Sequence, residues 1–417
     1  MSTPSTTGKA TAVATHVADL LATPEHGRAW AGGRWWPQSL AQGAAGVALL
    51  HIERARTGDG PWERAQAWLE CAVAQGVDAS PTAHLHYGAP ALAFVLNRAQ
   101  SVRSRFGPQL TLLDEAVNRI VTDRLERAHE RLAAGELPVL AEFDTIRGLT
   151  GLGALLLARD AQNPRLREMA SYLVALTEPL VEKGSRVPGW WTAVGLDGKE
   201  DPRFPGGHAN TGVAHGISGP LSLLALTLGR GIAVEGHAEA IGRILVWLET
   251  WQQNGADGVW WPYWITKGQF EGIEHIVGPR RPSWCYGAVG VAHAQLAGAL
   301  ALRDEARTKR IRRVLDREFA AAPTSPLMRD ASLCHGYAGL ALSAHSTGVG
   351  HVEELLSPVL AEDDPRTIAM GLITGGGIGL LEGAAGTALA LHTLTCSATE
   401  VGWAGFLLCG DSEDDRG

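Results

Sequence analysis

GAVGVAHAQL, at residues 287–296, sets two glycines three positions apart ahead of a run of small and apolar residues. Residues three apart share one face of a helix, so paired glycines there let another backbone approach closely. The apolar run behind them suits a helix buried on most sides. The same pattern begins at Gly43 (GAAGVALL), Gly88 (GAPALAFVL), Gly148 (GLTGLGALLL), Gly216 (GISGPLSLLAL), Gly336 (GYAGLALSA) and Gly383 (GAAGTALAL). The seven starts are 45, 60, 68, 71, 49 and 47 residues apart, and the second is imperfect, with Ala91 replacing a glycine.

More polar, amphipathic stretches precede most of these runs, at 61–74, 110–134, 163–181, 238–251 and 304–321. Alternating polar and apolar helices at this period describe a helical-hairpin repeat. Seven hairpins form either an open solenoid or a closed toroid, and small residues on the inner helices favour closure. The expected fold is therefore all-α, an α/α toroid with a double ring of seven outer and seven inner helices. It is read as one domain over 1–417, with repeats over 40–395 and flexible ends at 1–15 and 410–417. Strand signals are confined to short pieces in tryptophan-rich loops.

Apolar residues make up 45% of the chain and charged residues 19%, a globular rather than disordered balance. A net charge of −8 argues against nucleic-acid binding, which needs basic patches. The acidic end (Asp411, Glu413, Asp414, Asp415) reads as a solvated terminus. Residues 1–23 lack the order of a secretory signal. A membrane span needs about 20 uninterrupted apolar residues. The nearest approach, 368–393, is broken by Gly375, Gly376, Gly377 and Glu382. The expected location is cytoplasmic. There, five cysteines (Cys71, Cys285, Cys334, Cys396, Cys409) are thiols or metal ligands rather than a disulfide framework.

Chemistry concentrates at one position of the repeat. The two residues before the first glycine read Ala41-Gln42, His86-Tyr87, Ile146-Arg147, Ala214-His215, Cys285-Tyr286, Cys334-His335 and Leu381-Glu382. Equivalent positions belong at one rim, and adjacent repeats are neighbours in space. Cys285 therefore faces Cys334 and His335. Two thiolates and an imidazole are a natural zinc set, and three protein ligands leave the fourth tetrahedral position open, as in catalytic sites. A lone Cys is otherwise a small core residue and a lone His a hydrogen-bonded spectator; Cys71, Cys396 and Cys409 have no such register and are read as core or surface thiols. His215, Asp144 (four before Gly148) and Arg281 (four before Cys285) supply groups for proton transfer and charge stabilisation. Their bland readings are a spectator imidazole, a helix-capping carboxylate and a surface ion-pair partner.

AHGISG around His215, RPSWCYG around Cys285 and LCHGYAG around Cys334 resemble the lanthionine synthetase C family. The likeness extends over nearly the whole chain, because the seven glycine repeats also resemble that family's double ring of helices. WCYG and CHG, in this order behind AHG, are specific together, whereas a single GxxG is not. The resemblance implies Cys285, Cys334 and His335 as zinc ligands, Asp144 and His215 as acid–base residues, and Arg281 as a further active-site residue. It also implies the reaction: a zinc-activated cysteine thiol of a dehydrated precursor peptide adds to dehydroalanine or dehydrobutyrine, giving thioether rings. His215 would donate the proton to the enolate, and Asp144 would orient His215 or take the thiol proton. Some members carry a small domain among the early helices; the spacings here leave little room for one. The chain resembles the stand-alone cyclase type, which implies work beside a separate dehydratase and an exporter, peripheral to a membrane-associated biosynthetic complex.

GWWTAVG and GVWWPYW, carrying Trp190, Trp191, Trp260, Trp261 and Trp264, read as loops or short hairpins. They either grip a flexible peptide or anchor the loops; Trp35-Trp36 reads as structural. Three other functions compete. Glutathione or another small thiol would use the same site. A non-catalytic peptide-binding scaffold has no need of the ligand set. An α/α-barrel glycosidase or terpene cyclase needs paired carboxylates or an acidic run, which Asp144 and Glu382 do not supply.

Overall fold

The computed structural model describes residues 5–33, 35–255, 258–396 and 402–408. Among these, fourteen helices alternate between two kinds. The odd-numbered ones are amphipathic: α1 (Thr6–Leu20), α3 (Trp62–Val73), α5 (Gly107–Ala134), α7 (Arg165–Leu176), α9 (His237–Thr250), α11 (Glu305–Ala321) and α13 (Pro365–Gly376). The even-numbered ones are the apolar runs: α2 (Ala44–Arg56), α4 (Ala89–Gln100), α6 (Leu149–Arg159), α8 (Ser218–Gly229), α10 (Ala288–Ala301), α12 (Tyr337–Thr347) and α14 (Ala384–Thr395). The burial patterns fit the two roles. α9 buries one stripe, Ala240, Ile241, Ile244, Leu245 and Leu248, whereas α8 buries nearly every residue.

The chain divides into two compact units, with the divisions falling inside α5 and α11. In one unit α6, α8 and α10 pack in sequence order, with α7 and α9 against them. In the other, α12 packs on α14, α14 on α2 and α2 on α4, so the last repeat lies against the first, as closure requires. α1 covers α13 and α14 in that same unit. Residues 6–15, expected within a flexible end, instead form most of α1, which buries Ala10, Val13, Ala14, Val17 and Ala18. Residues 410–417 lie outside the described residues. The helix expected over 163–181 stops at Leu176, because Pro179 follows and restricts the residue before it. The chain then turns through a small hairpin, β1 (Leu180–Glu182) with β2 (Ser185–Val187).

The paired glycines work differently from expectation. A Cβ on the second glycine would lie 2.1 Å from the Leu40 carbonyl oxygen at Gly46, 2.1 Å from that of Trp284 at Gly290, and 2.0 Å from that of Leu333 at Gly339. In each case the obstructing carbonyl belongs to the same chain segment, on the loop leading into the helix. The glycine admits the incoming loop rather than a neighbouring helix, and that loop carries the chemically capable residues.

Four more short strands tie the tryptophan-rich segments down: β3 (His208–Asn210) pairs with β6 (Trp264–Thr266), and β4 (Gln253–Gly255) with β5 (Gly258–Trp260). Trp190, Trp191, Trp260 and Trp261 are buried, and Trp261 Nε1 donates to the Leu248 carbonyl. These four side chains anchor the loops. Trp35 packs beside Trp68, while the Trp36 side chain is exposed and only its carbonyl has a structural part, accepting from the Ser39 amide. Among the described residues, no helix is long and apolar enough to cross a membrane; 368–393 falls across α13 and α14.

Candidate metal centre and acid–base pair

Each capable residue sits on a turn built alike in several repeats. Four residues before the first glycine, a side-chain oxygen accepts the backbone N–H three residues on. Ser39 Oγ accepts from Gln42, Ser283 Oγ from Tyr286 and Ser332 Oγ from His335, at 3.0, 3.2 and 3.3 Å. In the third repeat this residue is Asp144, whose Oδ1 accepts from the Arg147 and Gly148 amides at 2.6 and 2.8 Å. Backbone hydrogen bonds then lace neighbouring turns together. Thr145 N–H donates to the Ala214 carbonyl, Val213 and Ala214 N–H to that of Cys285, and Cys334 N–H to that of Leu381. Within each unit, then, successive turns of this kind are bonded to one another.

A carboxylate has a second oxygen, and here it is used. Asp144 Oδ2 lies 2.7 Å from His215 Nδ1, and Asp144 is fully buried while the His215 side chain keeps 18% of its exposure. Nδ1 is thereby engaged by Asp144, which leaves Nε2 as the ring's other hydrogen-bonding nitrogen. Asp144 thus holds the turn with one oxygen and meets His215 with the other. Arg124, which the sequence did not single out, donates to the Arg147 carbonyl on the same turn. Burial pushes its pKa down to about 10, so it stays cationic at neutral pH, and its charge and that of Asp144 favour each other.

Cys285 is buried, with the Ser283 hydroxyl 3.7 Å from its Sγ. Gly287 has a φ of 90°, a backbone region favouring glycine, and a Cβ there would strike the Arg281 carbonyl at 2.2 Å. Arg281 is half-buried on this incoming segment, and the Tyr263 hydroxyl donates to its carbonyl. Burial raises the Tyr263 pKa; the Arg281 charge opposes that rise and Cys285 adds to it, so both act on this hydroxyl. Tyr286, next to Cys285, has its ring centroid 6.4 Å from that of His215 and its hydroxyl 2.9 Å from Asn210 Nδ2. Tyr286 was legible only as the neighbour of Cys285; its approach to His215 is a product of the fold.

Cys334 and His335 are half-buried at the start of α12. His335 Nε2 lies 3.4 Å from Asp330 Oδ2. Asp330 also escaped sequence reading, although it stands four before Cys334 as Arg281 stands four before Cys285. Cys285, ahead of α10 in one unit, and Cys334 with His335, ahead of α12 in the other, make one set of candidate ligands, each offering one ligand atom. Of the remaining cysteines, Cys71 is a half-buried thiol whose pKa burial raises. Cys396 belongs to a second group of possible ligands, with Asp59 and His392, and Cys409 lies outside the described residues.

The family model described as lanthionine synthetase C-like protein matches residues 34–408. The nisin biosynthesis protein NisC of Lactococcus lactis subsp. lactis is 24% identical over 266 residues, which span 62% of this chain and 60% of that protein. The solved structure of a nisin cyclase superposes with a TM-score of 0.77 at 21% identity, covering 95% of this chain and 97% of that one. The all-α toroid expected from the repeats is thus the fold shared with that structure. A match over most of the length, on a fold held in common, places the chain in the lanthionine synthetase C-like family.

Proposed function

We propose that this chain is a zinc-dependent lanthipeptide cyclase. It joins cysteine thiols to dehydroalanine or dehydrobutyrine within one dehydrated precursor peptide, making lanthionine and methyllanthionine rings. The carrying observation is the family match over residues 34–408, in a chain whose Cys285 and Cys334-His335 stand at the same position of two adjacent repeats. Two sulfurs and one imidazole nitrogen suit zinc, and three protein ligands leave one tetrahedral position for a substrate. Zinc bound there would supply the nucleophile, by turning a peptide thiol of pKa about 8.5 into thiolate at neutral pH.

The chain's own residues then manage the proton and the charge. As the sulfur–Cβ bond forms, the π pair of the dehydro residue moves onto its carbonyl oxygen as an enolate. His215 delivers a proton from Nε2 to the α-carbon, which restores the carbonyl. Asp144, fixed by two backbone donors, orients the imidazole. Arg281 is assigned to the developing enolate oxygen. Asp330 restrains the His335 ring, the part an outer carboxylate commonly takes beside a ligating histidine. A separate dehydratase supplies the substrate, and an exporter takes the product.

The test is direct. The purified protein, incubated with a dehydrated precursor, should consume free thiols and bind about one zinc more than a Cys285→Ala variant. A Cys285→Ala protein that consumes thiols as fast as the parent removes the mechanism.

A further inference from the structure

Asp59, His392 and Cys396 each offer one ligand atom, and these atoms lie within 4.8 Å of one another. His392 and Cys396 stand four apart at the C-terminal end of α14, on one face of the last turn. Asp59 comes from the turn between α2 and α3, and α2 packs against α14. The Arg54 guanidinium holds that turn by donating to the Asp59 carbonyl at 2.7 Å. Thr57 Oγ1 bridges the two elements, 2.6 Å from Asp59 Oδ2 and 3.0 Å from His392 Nε2. His392 is buried to 6% of its side-chain exposure, whereas half of the Asp59 side chain is open to solvent.

We propose that Asp59, His392 and Cys396 form a second divalent-metal site, suited to zinc. A sulfur, an imidazole nitrogen and a carboxylate oxygen are all accepted zinc donors, and the solvent side leaves room for a water as fourth ligand. Tetrahedral ligands at zinc distances sit roughly 3.3–3.8 Å apart. His392 Nε2 and Asp59 Oδ2 are already 3.9 Å apart, so a small side-chain adjustment brings them into range. A thiolate and a carboxylate balance the dication, and Arg54, Arg56 and Glu53 complete the charged surroundings of His392. The ion would fasten the end of the last repeat helix to the turn of the first repeat. Its role is structural, and the assignment stands independently of the proposed cyclase chemistry.

Zinc counting separates the two sites. In a Cys285→Ala/Cys334→Ala protein, dialysed against zinc and checked for helical content, about one zinc should remain per chain. Adding Cys396→Ser should remove it, and Asp59→Asn should weaken it. Cobalt in the double variant should give a sulfur-to-cobalt charge-transfer band that disappears with Cys396→Ser, and a chelator should lower the melting temperature of the double variant but not that of the variant that also carries Cys396→Ser. A folded double variant that holds no zinc, or zinc that persists after Cys396→Ser, overturns the proposal. Should the double variant not fold, the parent and its Cys396→Ser form decide: the zinc count falls by one, or the site does not exist.

Discussion

Asp144 occupies a position that serine fills in three other repeats, and it brings a two-oxygen carboxylate where serine has one hydroxyl. Serine at Ser39, Ser283 and Ser332 accepts the turn's amide through its single oxygen. Aspartate satisfies it with Oδ1 and holds His215 with Oδ2. Asp144→Ser should therefore keep the turn, the zinc content and a melting temperature near the parent's. It should slow thiol consumption by about 10²–10⁴-fold, the usual scale for losing assisted proton transfer. Equal rates in parent and variant would show that the carboxylate serves the fold alone. Asp330→Ala makes a matching test at the metal: zinc affinity measured by chelator competition should fall about 10–100-fold, as for other outer partners of ligating histidines. The identities of Cys285, Cys334, His335 and His215 were readable because each stands one or two residues before a repeat glycine. The roles of Asp330 and Tyr286 were not, because they depend on which way a side chain points once neighbouring loops meet.

The alanine-rich inner helices were readable from the glycines that open them, whereas α1, which has no such signature, was read within a flexible end. α1 buries Ala10, Val13, Ala14, Val17 and Ala18, a helical spacing that composition disguises because alanine and threonine dominate the segment. The glycine pattern was visible, but its cause was not, since the obstructing carbonyl becomes apparent only when the incoming loop is in place. That cause yields a contrast between two substitutions. Gly290→Ala drives a methyl group to 2.1 Å from the Trp284 carbonyl oxygen, beside Cys285. It should destabilise by about 1–3 kcal/mol or more, the scale of overpacking, and weaken zinc binding by displacing the loop. Gly242, inside α9, has nothing within 4 Å of an added Cβ. Gly242→Ala should stabilise by about 0.5–1 kcal/mol through helix propensity. Urea denaturation of both variants checks this; two effects of the same sign would mean that the glycines were chosen for something other than space.

Burial on this scale also sets how the protein responds to acid. His51, His208 and His293 each have their pKa lowered to about 4, in every case chiefly by desolvation, from an ordinary 6.5. In the unfolded chain each takes up a proton near pH 6.5, while in the folded chain it resists until about pH 4. Between those limits the unfolded state binds more protons, so stability falls as the pH falls. A fully expressed shift of this size is worth roughly 3 kcal/mol per histidine. His51 is the cleanest case, because its Nε2 meets the Leu21 carbonyl at 2.8 Å, a bond that a glutamine amide can replace without titrating. His51→Gln should therefore flatten the stability profile between pH 6.5 and 4 by up to one proton's slope, about 1.4 kcal/mol per pH unit, with little change at pH 7.5. Parallel profiles for parent and variant, measured by urea unfolding with chelator present in both, would mean that His51 is already protonated in the native interior or escapes its burial before the chain unfolds.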